Sequence, residues 1–158
     1  MFLNCHTYYS LRFGTFKISE LLELGQANGA TTMALTDVNS TSACLEFVRL
    51  STNYNVKPIL GVDFRKRAKQ QFIMLAENNE GFHYINEYLS AFLHERQGTE
   101  NLKIPARAEQ LPHTFIIYPF ASFEGETLLE NEFLGVKMED INRLKFSQWK
   151  HRQEKLVV

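Results

Sequence analysis

His6, Asp37 and Asp63 each stand at or beside the polar end of a short apolar run. Phe2-Leu3-Asn4-Cys5 leads into His6-Thr7-Tyr8-Tyr9-Ser10. Thr32-Met33-Ala34-Leu35 leads into Thr36-Asp37, and Lys57-Pro58-Ile59-Leu60-Gly61-Val62 into Asp63. One imidazole and two carboxylates can hold a divalent cation, activate water or relay a proton, provided a fold brings them together. Each also has a plain structural use. A strand-end histidine can simply be hydrogen-bonded, and a strand-end aspartate can cap a helix or bind loop amides.

The elements that would position these residues alternate. After the first strand, Gly14 lies in a loop, and a helix runs from about Ile18 to Asn28 with Leu21, Leu22, Leu24 and Ala27 on one face. Asn28-Gly29 is its stop. Met33 to Thr36 reads as a buried strand. A second helix is expected from Thr41 or Ser42, both plausible caps, carrying Leu45, Phe47, Val48 and Leu50. Asn53 and Asn55 end it. Val56 to Val62 is the third strand, with Pro58 tolerable only near its start or at an edge.

Arg65 to Lys69 reads as a basic turn, a solvated loop rather than a phosphate-contacting patch. Phe72 to Ala76 is a strand capped by Asn78, and a long helix from about Glu80 to Glu95 carries Phe82, Ile85, Tyr88, Leu89 and Phe92 at helical spacing. His83 and His94 lie on it as surface histidines. Gln97 to Pro112 reads as loose and polar. Beyond it come a strand at Thr114–Tyr118, a short acidic helix opening at Glu124-Gly125-Glu126, a strand at Phe133–Val136 and a short helix at Met138–Leu144. The end, from Trp149 to Val158, is basic and then apolar. Buried strands alternating with helices predict an α/β fold with a mostly parallel sheet of five or six strands, its strand ends gathered on one face.

The chain has 158 residues, enough for one domain with a sizeable core. A net charge of −1 removes any global attraction to nucleic acid, so a basic surface must be local. Cys5 and Cys44 do not make a disulfide framework, which favours a reducing, cytoplasmic setting. The first residues lack the basic flank and long apolar run of a signal peptide, and no apolar stretch is long enough to span a membrane. Thirteen Phe and six Tyr read mainly as core.

Leu3-Asn4-Cys5-His6-Thr7-Tyr8-Tyr9-Ser10-Leu11, Ala34-Leu35-Thr36-Asp37, Lys57-Pro58-Ile59-Leu60-Gly61-Val62-Asp63 and Leu75-Ala76-Glu77-Asn78-Asn79-Glu80-Gly81-Phe82 stand in order and at matching spacing. Together they resemble the polymerase-and-histidinol-phosphatase (PHP) domain, and within it the copy at the N-terminus of bacterial DNA polymerase III alpha subunits. The resemblance covers residues 1 to about 95 well and the rest loosely. It implies a distorted seven-stranded (β/α) barrel of well over 200 residues, of which this chain would be the N-terminal part.

In active members of that family, two or three metals are held at the strand ends for phosphoester hydrolysis, and in some polymerases for proofreading. The resemblance puts His6 and Asp63 at ligand positions, as a vestigial pair, with Asp37 in the same cleft but not a ligand. Four other ligand positions fall on Asn4, Phe13, Val38 and about Gln71. Phe13 and Val38 cannot ligate anything. No catalytic residue and no resident cofactor is therefore expected, with residual Zn, Mn or Mg the exception.

The expected role is a structural or scaffolding segment of a chain that synthesises DNA. Its expected partners are the remainder of the polymerase, other replication subunits including a proofreading one, and DNA through the parent chain, with no membrane. The alternative is a metal-dependent phosphoesterase or 3′–5′ exonuclease with a reduced site. A barrel cut short would also expose an unpaired edge and leave Leu156, Val157 and Val158 without neighbours. Self-association, or poor order beyond about Gln97, would follow.

Overall fold

Period-two alternation sorts the strand residues into two faces. In the computed structural model, which describes residues 1–96 and 107–158, Leu3, Ala34, Ile59, Ile73, Leu75, Ile117, Phe133 and Val157 share one apolar cluster. Their strand neighbours Met33, Leu35, Val62, Phe64, Phe72, Met74, Ile116, Tyr118 and Leu134 face the other way, into two clusters that include helix residues. The strands are β1 (Phe2–Cys5), β2 (Thr32–Leu35), β3 (Lys57–Lys66), β4 (Lys69–Ala76), β5 (Thr114–Pro119), β6 (Glu132–Gly135) and β7 (Leu156–Val157). They form a single sheet in sequence order. Leu3 of β1 and Val157 of β7 belong to the same inner cluster, so the sheet curls towards a partial barrel, with no pairing between β1 and β7 among the described residues.

Pairing is parallel for β1–β2, β2–β3, β5–β6 and β6–β7, and antiparallel for β3–β4 and β4–β5. Only β4 runs against the rest, because the basic turn is a tight hairpin with Lys66 opposite Lys69 and Arg67 at φ 56°. The C-terminal ends of β1, β2 and β3 therefore gather at one mouth, and the start of β4 joins them. Gly61 is required on the inner face of β3. An added Cβ there would lie 2.3 Å from the Met74 carbonyl oxygen and 2.7 Å from the Leu75 side chain.

Helices α1 (Ile18–Ala27), α2 (Cys44–Ser51) and α3 (Asn79–Arg96) cover the outer face, and α4 (Ile141–Lys145) is a single short turn near the end. α1 buries Ile18, Leu21, Leu22 and Gly25. α3 buries Ile85 and Leu89, and Asn78 accepts the Gly81 N–H at its start. His83 and His94 are exposed on α3, as expected.

Several expectations require correction. Among the described residues the strands number seven, not five or six, because Leu156 and Val157 pair with β6. Trp149 is buried, Leu156 packs on the outer cluster and Val157 on the inner one, so the tail has neighbours, and Val158 alone of the three final residues is exposed. Of the stretch from Gln97 to Pro112, residues 97–106 lie outside the described residues, and 107–112 form neither helix nor strand, although Ala108 is buried; β5 to β7 follow. Residues 124–126 form no helix. The Phe123 ring sits between Tyr118 and Trp149, and Gly125 packs against it, holding the chain irregular. α2 begins at Cys44, because the Thr41 hydroxyl bonds Asn86 rather than capping the helix. Its buried face is Cys44, Phe47 and Ser51, leaving Leu45 and Val48 exposed.

Candidate functional site

The mouth is built from three strand ends and the loop between β1 and α1. Where β1 gives out, the Cys5 carbonyl accepts the Thr36 N–H and the Thr36 hydroxyl donates to Asn4 Oδ1 at 2.8 Å. The loop then folds back on its own start, which only glycine allows at position 14. A Cβ there would lie 2.1 Å from the Thr7 carbonyl oxygen and 2.9 Å from the His6 carbonyl carbon.

Asp37 holds this loop. Its Oδ1 accepts the Thr7 N–H at 2.7 Å and the Ser10 hydroxyl at 2.6 Å, and its Oδ2 accepts the Thr7 hydroxyl at 2.7 Å. Ser10 Oγ in turn accepts the Val38 N–H. Thr7, Ser10 and Asp37 are all fully buried, so this is a closed polar network in which every member has a partner.

Asp63, also fully buried, is the centre of a second arrangement. Its Oδ2 accepts from Arg65 Nε at 2.8 Å and Gln70 Nε2 at 3.0 Å, with Arg65 Nη2 2.8 Å away and His6 Nε2 at 3.1 Å. The facing imidazole nitrogen donates in the tautomer protonated at Nε2. Asp63 Oδ1 is buried without any hydrogen-bond partner. The Phe13 ring lies 4.3 Å from the Arg65 guanidinium carbon, a cation–π contact. Asn39, at φ 50°, exchanges two side-chain hydrogen bonds of 2.9 Å with the Arg65 backbone, and its own N–H donates to the Asp63 carbonyl. Two side chains of β3 and one of β4 thus converge with the strand-end imidazole of β1.

The structure brings His6 and Asp63 into direct contact. It places Asp37 on the neighbouring strand end, with its carbonyl accepting the Asp63 N–H, but its carboxylate serves Thr7 and Ser10. Of the four substituted positions, Asn4 bonds Thr36, Phe13 packs on Arg65, and Val38 bridges the Asp63 backbone. The fourth, expected at about Gln71, falls beside the site residue rather than on it. Gln71 bonds the Lys69 carbonyl at the surface, and Gln70 reaches Asp63. The register between β3 and β4 shifts past Phe64, so Phe64 opposes Phe72 but Arg65 opposes Gln70. This bulge leaves Gln71 as the extra residue and reverses the facing of those before it.

Arg65 also departs from the expected solvated turn, since its side chain is largely buried against Asp63. Counting by twos from Ile59 through Gly61 and Asp63 puts Arg65 on the inner face, and that count was available in the sequence. Asn39, Thr7 and Ser10 carry no comparable signal, since loop polar residues are common.

Burial raises the Cys5 thiol to about 11, and burial together with the nearby Asp37 charge raises Cys44 to about 12. Neither is poised as a nucleophile or metal ligand at neutral pH. The residues at the mouth do not fit a resident divalent metal. The lone pairs of Asp63 Oδ2 are engaged by a guanidinium, whose charge opposes a second cation, and the Asp37 oxygens are engaged by three donors. No group of three or more His, Cys, Asp and Glu able to hold a metal occurs among the described residues. Among the described residues, Asp63 Oδ1 is the one buried side-chain oxygen or nitrogen with no hydrogen-bond partner.

The family model for the PHP domain matches residues 3–117. Curated relatives include DNA polymerase III subunit alpha of Ureaplasma parvum, 31% identical over 80 residues, and of Vibrio cholerae, 30% identical over 94 residues. These alignments cover 51% and 56% of this chain, and the chain spans about 8% of the length of either relative. Among solved structures, a protein of Bifidobacterium adolescentis described as a "putative metal-dependent phosphoesterase" matches 61% of this chain and 34% of its own, at 20% identity and a TM-score of 0.45.

Proposed function

The chain belongs to the PHP domain family, and from that premise we propose that it is a non-catalytic, scaffolding PHP segment of a bacterial replicative DNA polymerase III alpha subunit. The observation that carries this reading is the Arg65 guanidinium bonded to Asp63, where the family's chemistry asks for a metal bound to a carboxylate. A cation supplied by the chain's own side chain neutralises the buried carboxylate and holds β3, β4 and β1 together, but it offers no site at which water could be activated. In that role the segment would present a rigid surface to the remainder of the polymerase chain, to other replication subunits and, through the parent chain, to DNA. No helix among the described residues is long and apolar enough to cross a membrane. A cytoplasmic setting is part of this proposal.

The second reading is a metal-dependent phosphoesterase or 3′–5′ exonuclease with a reduced site. The unpartnered Asp63 Oδ1, with His6 beside it, favours it. Elemental analysis of the purified chain, with hydrolysis of an aryl phosphate and of 3′-labelled single-stranded DNA in added Mn²⁺ or Zn²⁺, separates the two. The scaffold reading expects substoichiometric metal and no turnover above background. Stoichiometric metal, with turnover abolished by Asp63→Asn, would replace it with the second. Its structural half is tested in the parent polymerase, where Gly61→Val should lower the thermal midpoint and primer extension together.

A further inference from the structure

Within the non-catalytic reading, which this inference rests on, Arg65 need not be only a strut. We infer that the Arg65 guanidinium is a built-in substitute for a divalent cation, and that this one side chain keeps Asp63 and His6 from binding such a cation. Three observations converge on it. Both Arg65 Nε and Nη2 lie 2.8 Å from Asp63 Oδ2, so the cationic group faces the carboxylate sideways, as a fork. The pair is sequestered, with Asp63 fully buried and the Arg65 side chain 14% exposed, so the charges act on each other with little screening. Asp63 Oδ1 is buried with no partner at all, an acceptor that the guanidinium does not use and that a small cation would.

The surroundings are adapted to a planar organic cation rather than to a metal. Phe13 offers a ring face 4.3 Å from the guanidinium carbon, and a ring face attracts a guanidinium without competing for its donors. Asn39 fixes the Arg65 backbone from both sides. Remove the guanidinium and what remains is a buried carboxylate with Oδ1 bare and Oδ2 uncompensated in charge, the imidazole of His6 and the amide of Gln70, which can turn its oxygen inward. Imidazole, carboxylate and amide oxygen together suit Mn²⁺ or Zn²⁺, with water completing the shell. The exclusion is therefore electrostatic and steric, and is carried by one residue.

Arg65→Met keeps the aliphatic stem and deletes the charge, whereas Arg65→Lys keeps a charge. Thermal unfolding of the whole chain is followed with EDTA and with MnCl₂ or ZnCl₂. For Arg65→Met, a cation at about a hundredfold excess over its dissociation constant should raise the midpoint by roughly 5–10 °C. Titration calorimetry should show one site. Arg65→Lys should respond at least tenfold more weakly, and Arg65→Met with Asp63→Asn should not respond. If Arg65→Met does not fold in EDTA, recovery of its far-ultraviolet dichroism on adding Mn²⁺ is the same result. A folded Arg65→Met blind to both cations, an unfolded one that they do not recover, or an Arg65→Lys that responds equally would each overturn the inference. A response by the wild-type chain would overturn the non-catalytic reading and the inference with it.

Discussion

Two buried carboxylates among the described residues meet an arginine, and they are treated differently. Glu132 opens β6 on the outer face, two residues before Leu134. Its Oε1 accepts from Arg107 Nε at 2.8 Å, Gln110 Nε2 at 2.9 Å and the Tyr118 hydroxyl at 3.0 Å. Its Oε2 accepts the Leu129 N–H at 2.8 Å and a second Arg107 nitrogen. The Tyr118 oxygen in turn accepts the Ala108 N–H. Every lone pair has a use, and the result ties the chain after residue 107 to β5 and β6. Asp63, on the inner face, crowds all its partners onto Oδ2 and leaves Oδ1 bare. A saturated carboxylate is a fastener. One left half-satisfied marks a position whose surroundings were arranged for something other than maximal stability.

That contrast breaks or sharpens under substitution. The largest effect is expected for Glu132→Gln, which strands Arg107 and gives the backbone amide of Leu129 and the Tyr118 hydroxyl a poorer acceptor. Urea unfolding should show a loss of about 3 kcal/mol, at the low end for breaking a buried pair, because the Arg107 side chain is 40% exposed and can rehydrate. Asp63→Asn should cost less, about 2 kcal/mol on the scale of hydrogen bonds to charged groups, because it takes bonds from one oxygen only, although the guanidinium it strands is 14% exposed and rehydrates less readily than Arg107. Equal losses at the two sites would erase the distinction.

Acid sharpens it further. Burial opposes the charge on Glu132, but the Arg107, Leu129 and Tyr118 bonds outweigh it and hold the carboxyl below its ordinary value of 4.5. The stabilisation is therefore complete above that value and is lost as pH falls beneath it. The slope is at most about 1.4 kcal/mol per pH unit for one proton. Glu132→Gln should flatten that acid limb of the stability curve, and an unchanged limb would assign it to other groups. The smallest effect concerns the thiols. With Cys5 raised to about 11 and Cys44 to about 12 by burial, alkylation of the native chain should be slow at pH 7–8 and quicken only in strong alkali or on unfolding. Rapid native alkylation of either would mean that its surroundings open readily.

Much of the first hundred residues was legible because strand periodicity and turn residues agree there. His6 and Asp63 could be paired from the repeated strand and polar-end pattern, since same-handed crossovers gather such ends. What escaped was set by tertiary context. Nothing local distinguishes Gln70 from Gln71, as a bulge decides which faces inward. Leu45 and Val48 look like core by composition and are exposed, because α2 meets the sheet through Cys44 and Phe47 instead. Glu132 carries no signal in the sequence, since an isolated glutamate gives no hint of the arginine and tyrosine that the fold brings to it. The two-residue strand β7 is too short for any periodicity to register.

The tight hairpin between β3 and β4 has a kinetic corollary. Asp63, Arg65 and Gln70 lie within eight consecutive residues, so their mutual contacts close almost no chain, whereas His6 arrives across a separation of 57 residues. Hairpins form in microseconds, and parallel pairings separated by helices wait for slower, long-range closure. The buried carboxylate can thus acquire its counter-charge within its own hairpin, before the strand bearing the imidazole docks.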